Sequence, residues 1–256
     1  MPQVRPQPAG PVAIVTGAGS AEGIGFATAK ALAEAGFRLA ITATSARIHD
    51  RRTELGAGHL AFAADLTDPA AARAIVEEVQ KSLGPVSALI NNAGMVQTGR
   101  KLRAPRLEAL SDADWHGHLE INLTTAFNMT RAVLPAMQAA GFGRIVNVAS
   151  VTGPVVSFAR TAGYSAAKAA MCGLTRAIAI ENAGLGITCN AVLPGWIATG
   201  SATARERAAG RRSPAGRPGT PSEVAACCLF LASEGASYVN GAMLVVDGAN
   251  SVMETK

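Results

Sequence analysis

The chain has 256 residues, 49% of them hydrophobic and only 4% aromatic, with 27 glycines and a formal charge of +5. That length and apolar fraction suit one α/β domain with a large buried core, and exclude a disordered or collagen-like polymer. No apolar run is long enough to cross a bilayer and the basic residues are scattered with no base-reading module, so neither a membrane nor a nucleic acid is an expected partner.

Residues 1–10 are polar and proline-rich, lack the apolar core of a secretory signal, and read as a loose tail ahead of a single domain over 11–256. Short β-rich runs then alternate with helical patterns, the habit of βαβ units. They fall at 12–16, 38–43, 60–63, 88–91, 144–148, 188–192 and 243–246, which predicts an α/β doubly wound parallel sheet of seven strands with helices on both faces. Between the first two runs Ile24, Ala27, Thr28, Ala31, Leu32 and Ala35 recur at helical spacing, and Gly36 supplies a stop. Two irregular stretches, 95–111 and 200–222, are rich in Arg, Gly and Pro and follow predicted strand ends. Ligands of open parallel sheets bind beyond those ends, so both stretches are expected to wall the substrate site.

The four cysteines, Cys172, Cys189, Cys227 and Cys228, lack the spacing of a metal knuckle or redox dithiol and sit among Ala, Val and Leu. They read as small buried hydrophobes of a cytoplasmic protein, and no metal site is expected.

Gly17, Gly19, Ser20, Gly23, Ile24 and Gly25 lie where the first strand turns into its helix. Glycine there permits positive φ and lets the backbone approach a pyrophosphate, which the free N–H groups of the helix N-terminus attract. At the end of the second strand stand Thr44, Ser45 and Arg47, with no carboxylate to hold ribose hydroxyls or repel a 2′-phosphate. That favours NADP(H) without excluding NAD(H); Glu22, just before Gly23, argues the other way.

Tyr164 and Lys168 are four residues apart and share a helix face. A free tyrosine titrates near ~10, and a nearby ammonium is expected to favour the phenolate, making the pair fit for general acid/base work. Ser150 follows the apolar run 145–148 and should stand at the sheet's carboxyl end, able to donate to a substrate carbonyl oxygen. Each residue also has a plainer reading: Tyr164 as a core tyrosine, Lys168 as a solvated helix residue, Ser150 as a turn residue.

Over 12–247 the chain resembles the short-chain dehydrogenase/reductase family, through Thr16-Gly17 with Gly23-Ile24-Gly25, Asp65-Leu66, Asn91-Asn92-Ala93-Gly94, Tyr164-Ser165-Ala166-Ala167-Lys168 and Pro194-Gly195-Trp196-Ile197-Ala198-Thr199. The resemblance implies a Rossmann-type fold, a nicotinamide cofactor, and interconversion of a ketone with a secondary alcohol by Asn122, Ser150, Tyr164 and Lys168. It places Asp65 and Leu66 at the adenine and Asn92, Ala93 and Gly94 along the cofactor. Pro194, Gly195, Ile197 and Thr199 then fall at the nicotinamide amide, beside Tyr164 and Lys168. Taken alone, Asp65 could equally cap a helix, and Asn122 could be a satisfied interior amide. Five residues, 18–22, separate the halves of the glycine motif where relatives usually have three, so either Gly17 or Gly19 can make the tight turn.

After Thr199 the resemblance implies a mobile lid, here carrying Arg205, Arg207, Arg211, Arg212 and Arg217; a solvated loop is the plainer reading of these and an anionic substrate tail the sharper one. Motifs at 42–45, 214–217 and 230–233 are most similar to bacterial 3-oxoacyl-carrier-protein reductases. Reduction of a 3-oxoacyl thioester with NADPH is therefore the leading expectation. Gly141 and Leu185 stand where those reductases present basic residues to the acyl carrier protein, which makes that partner doubtful. The alternative is a dehydrogenase of a small hydroxy compound such as a sugar, polyol or cyclic alcohol; a nucleotide-sensing regulator without catalysis is a different class. The Ala-rich helix after Tyr164 and the last strand resemble surfaces that build family dimers and tetramers.

Overall fold

A computed structural model of the chain describes residues 10–94 and 102–253. The expected tail 1–9 and residues 95–101 of the first irregular stretch lie outside these. Seven strands form one sheet: β1 Val12–Val15, β2 Arg38–Ala43, β3 Leu60–Ala63, β4 Val86–Asn91, β5 Gly143–Val148, β6 Ile187–Pro194 and β7 Met243–Val246. Every pairing is parallel and the order is β3-β2-β1-β4-β5-β6-β7. The helices are α1 Ile24–Glu34, α2 Arg47–Leu55, α3 Pro69–Leu83, α4 Asp112–Leu119, α5 Thr125–Ala140, α6 Ala162–Asn182, α7 Ala204–Arg211 and α8 Pro221–Ala232.

Successive strand residues point to opposite faces, and here both faces are dry. Ala13, Val15, Leu39, Ile41, Ile90 and Val146 pack under Phe26 and Leu32 of α1, Ile48 of α2 and Val224 and Leu231 of α8. Val12, Ile14, Ala40, Leu89 and Ile145 pack under Ile75 and Val79 of α3, Met129 and Val133 of α5 and Ile178 of α6. Burying both faces explains why the strands read as continuous apolar runs without alternation.

The expected limits shift in four strands. β4, β5 and β6 each begin one or two residues earlier than predicted, and β6 runs on to Pro194. All eight residues of β6 are buried, so packing from both faces overrides the weak strand preference of Asn190 and Pro194. β1 ends at Val15 because the next side chain is committed elsewhere: Thr16 Oγ1 accepts from the N–H groups of Asn92 (3.0 Å) and Ala93 (2.9 Å).

Buried amides lock the central strands to their helices. Asn91 Nδ2 donates to Thr130 Oγ1 at 3.0 Å and to Asn147 Oδ1 at 2.8 Å, and Asn147 Nδ2 donates to Thr175 Oγ1 at 2.8 Å. This chain ties α5 and α6 to the ends of β4 and β5, the two strands that deliver Gly94 and Ser150. The cysteines are buried or half-buried, and burial pushes the Cys189 and Cys228 thiols up to about 12.

Candidate active site

Strand order reverses between β1 and β4, where connections leave to opposite sides and a crevice opens beyond the carboxyl ends. A cavity of about 790 Å³ occupies that crevice. Gly17, Gly19, Ser20, Gly23 and Ile24 line its first end. Gly17 makes the tight turn, with φ of 69° and no room for a side chain, since a Cβ would lie 2.8 Å from Ala93 Cα. Gly25 is not on the wall; it lies beneath it, where a Cβ would come within 2.5 Å of Asn92 Nδ2 and 2.6 Å of the Gly17 carbonyl oxygen. That same Asn92 amide donates to the Thr16 and Gly17 carbonyls, both at 3.1 Å, and clamps the turn against β4. Helix α1 starts from Gly23 with no side-chain cap and no acid in its first turn. Its first N–H groups therefore have no competing side-chain acceptor, which is what a bound pyrophosphate requires.

At the end of the cavity beyond β2, Thr44, Ser45 and Arg47 line the wall, and Arg47 Nε donates to Ser45 Oγ at 3.2 Å. Glu22 does not reach this group: its carboxylate lies against Gly200, whose N–H donates to the Glu22 carbonyl at 3.3 Å. Asp65 and Leu66 line the wall nearby. Asp68, not Asp65, caps α3, while Asp65 Oδ1 accepts from the N–H (2.9 Å) and hydroxyl (2.8 Å) of Thr67. Asn128 of α5 holds this turn by donating to the Leu66 and Thr67 carbonyls at 3.0 and 3.1 Å.

Beyond the ends of β4 and β5, Ser150, Tyr164 and Lys168 share the cavity wall with Asn92, Ala93 and Gly94. The Ser150 hydroxyl hydrogen-bonds the Tyr164 side chain, and its oxygen accepts from Thr152 N at 3.0 Å. Lys168 is buried; its Nζ donates to the Val148 carbonyl at 2.9 Å and lies 5.8 Å from the Tyr164 ring centroid. Desolvation holds the ammonium down to about 8. The expectation that this ammonium lowers the tyrosine is corrected here. Burial pushes the Tyr164 phenol above its usual range, the Ser150 bond works against that, and the Glu206 carboxylate adds to the rise. Lys168 Nζ stands 5.8 Å from the ring centroid and is held by Val148, and burial of the phenol is the larger effect.

Asn122 lies off the wall, fully buried in a π-helical turn, Glu120–Thr124, that joins α4 to α5. Its Nδ2 donates to the His118 carbonyl at 3.0 Å. Gly94 separates Asn122 from Lys168: a Cβ there would stand 2.8 Å from Asn122 Oδ1 and 3.5 Å from Lys168 Nζ. The widened turn places the amide where an ordinary helical turn would direct it differently, and such bulges concentrate at functional sites.

Pro194, Gly195, Ile197 and Thr199 line the last wall, and Gly195 closes tightly on Asp247. Of the lid, Gly200, Ser201, Ala202 and Glu206 face the cavity, and none of the five lid arginines does. Arg217 is held by Glu223 through two contacts of 3.0 and 2.6 Å, and the pair keeps the Glu223 carboxyl down to about 2. The arginines are thus placed as a solvated face, and the lid residue that sequence reading passed over is Glu206. Glu206 is one of several acids in the chain, and only the three-residue offset of the Thr203 cap marked it. Among the described residues no three His, Cys, Asp or Glu side chains are grouped to hold a metal.

Known proteins share this architecture. A family model described as enoyl-(acyl carrier protein) reductase matches residues 17–249. Galactitol 2-dehydrogenase (L-tagatose-forming) of Cereibacter sphaeroides is 42% identical over 252 residues, 95% of this chain and 96% of that protein. The 3-oxoacyl-acyl-carrier-protein reductase of Salmonella typhimurium is 37% identical over 244 residues, 93% of this chain and 96% of that one. The solved structure of levodione reductase superposes with a TM-score of 0.88 at 31% identity, covering 95% of this chain and 98% of its own. The chain belongs to the short-chain dehydrogenase/reductase family. Within it, the protein is an oxidoreductase of the class that uses NAD(H) or NADP(H).

Proposed function

We propose that this protein interconverts a ketone and a secondary alcohol of a small hydroxy compound, such as a sugar, polyol or cyclic alcohol, with NADP(H). The observation that carries the reading is the hydrogen-bonded pair of Ser150 and Tyr164 on the wall of the glycine-cradled cavity, with Lys168 buried behind it. Bound in that cradle, the nicotinamide supplies hydride in reduction and accepts it in oxidation. Tyr164 delivers a proton to the carbonyl oxygen or removes it from the alcohol, and its raised pKa keeps the proton available for reduction. Ser150 donates to the same oxygen and stabilises the charge that develops there. Lys168 orients the site through its bond to Val148, and Asn122, across Gly94, is placed to hold a water-linked proton relay that reaches it.

Support for NADP(H) is the pairing of Ser45 with Arg47 at the edge of the cavity, with Glu22 directed to Gly200. Support for a hydroxy compound is the 42% identity with an enzyme named for galactitol. The 3-oxoacyl thioester reading has its own observation, 36–38% identity to several carrier-protein reductases. Gly141 caps α5 in a left-handed conformation and Leu185 is an exposed apolar side chain, so these positions offer an acidic carrier no cation. Assembly into a dimer or tetramer is proposed through α6 and β7, which leave Ile180 80% and Val245 39% exposed.

A panel of hexitols, cyclic alcohols and free 3-oxoacyl thioesters, assayed separately with NADP(H) and NAD(H), tests the reading. Turnover of hydroxy compounds with NADP(H) is expected, lost in Tyr164→Phe. Turnover undiminished in that variant would remove Tyr164 from the reaction, and thioester turnover alone would select the second substrate class.

A further inference from the structure

The lid places one charged group at the reacting end of the cavity, and it is a carboxylate. Glu206 Oε2 accepts from the N–H of Thr203 (2.7 Å) and from its hydroxyl (2.8 Å), closing a capping box at the start of α7. Oε1 takes no hydrogen bond among the described residues. Glu206 lines the cavity that Tyr164 also lines, and its charge adds to the rise of the Tyr164 phenol. Phe158 and Trp196 line the same cavity, their ring centroids 6.0 Å apart and tilted by 35°.

An ionised carboxylate only accepts hydrogen bonds, so it selects for donors and repels carboxylates and phosphates. The aromatic faces of Phe158 and Trp196 in the same cavity suit the C–H surface of a ring or extended polyol. We infer that Glu206 is a specificity-determining residue whose free oxygen accepts a hydrogen bond from a substrate hydroxyl beyond the reacting carbon, so that the cavity takes uncharged polyhydroxy substrates and rejects anionic ones. This rests on the proposed reaction at Tyr164. It also gives the lid a role opposite to the one its arginines suggest in sequence, since the cationic side faces solvent and the anionic group faces the substrate.

The test compares wild type, Glu206→Gln and Thr203→Ala on galactitol, cyclohexanol and an aldonate. Glu206→Gln keeps an acceptor for the Thr203 cap while removing the charge. It is expected to raise the KM for galactitol about tenfold, to leave the cyclohexanol KM unchanged and to lower the aldonate KM, while any kcat change from easing the Tyr164 phenol down is shared by galactitol and cyclohexanol. Thr203→Ala, which weakens the cap and keeps the carboxylate, should leave the ratio of galactitol to cyclohexanol KM as in wild type. Equal KM changes for galactitol and cyclohexanol in Glu206→Gln, or the same KM pattern in Thr203→Ala, would reduce Glu206 to a capping residue and overturn the inference. If wild type turns over none of these compounds, the proposed reaction fails and Glu206 is judged by binding. Galactitol should then raise the Tm of the NADP(H)-loaded wild type more than that of loaded Glu206→Gln, and equal shifts, zero included, would overturn its role.

Discussion

Lys168 Nζ donates to the Val148 carbonyl at 2.9 Å, so the helix that carries Tyr164 is tied by its ammonium to the last residue of β5. Two residues further along, Ser150 meets the Tyr164 phenol. One strand end therefore sets both the hydroxyl that meets Tyr164 and the carbonyl that holds the cation.

The proton state of Tyr164 gives a directional pH prediction. Alcohol oxidation needs the phenolate, and the phenol is pushed above its usual range by burial, so kcat/KM for oxidation should still be rising at about pH 9 to 10. Ketone reduction needs the protonated phenol, which burial preserves, so its kcat/KM should stay level up to about pH 10. Rate profiles in both directions check this. An oxidation rate flat from about pH 6 to 10 would contradict it.

Lys168→Met separates catalysis from stability. Ketone reduction is expected to fall at least about a hundredfold. At pH 7 the variant's Tm should be no lower than wild type's, because a buried ammonium is replaced by an apolar chain of similar volume. Lys168 titrates at about 8 when folded against 10.5 ordinarily, so the unfolded chain binds more protons between those values and wild-type stability should gain across that interval. The variant lacks that gain. Parallel Tm-versus-pH curves for the two proteins would show that Lys168 is not desolvated as described.

Arg47→Ala is expected to raise the KM for NADPH about tenfold while leaving that for NADH within about twofold, since only the former carries a 2′-phosphate. Initial-rate measurements with each nucleotide decide it. An equal loss for both would place Arg47 away from the phosphate.

Gly25→Ala would set a Cβ 2.5 Å from Asn92 Nδ2 and 2.6 Å from the Gly17 carbonyl, both held by the same hydrogen bonds. Nucleotide affinity should fall by about tenfold or more even in protein that folds, because the clamp on the pyrophosphate turn must open. Isothermal titration with NADPH against wild type reads the change. Gly173→Ala, on α6 with open space around it, serves as the control and should bind as wild type does.

Alternating apolar runs and helical spacings determined the seven strands, their parallel order class and the helices between them, since burial on both faces leaves a continuous hydrophobic signal. The same sequence placed Tyr164 and Lys168 on one helix face and Ser150 at a strand end, because those relations are local in the chain. Contacts between distant segments decided the rest. Thr16 bonding Asn92 chose Gly17 as the tight turn, Gly200 drew Glu22 away from the cofactor edge, and a π-helical turn set Asn122 behind Gly94. Tertiary packing also turned the lid so that Glu206, not its arginines, reaches the cavity, and buried the Tyr164 phenol so that it holds its proton more tightly. Spacing along a chain reports which residues share an element's face, whereas burial and the approach of separate elements set the charges they carry and the groups they meet.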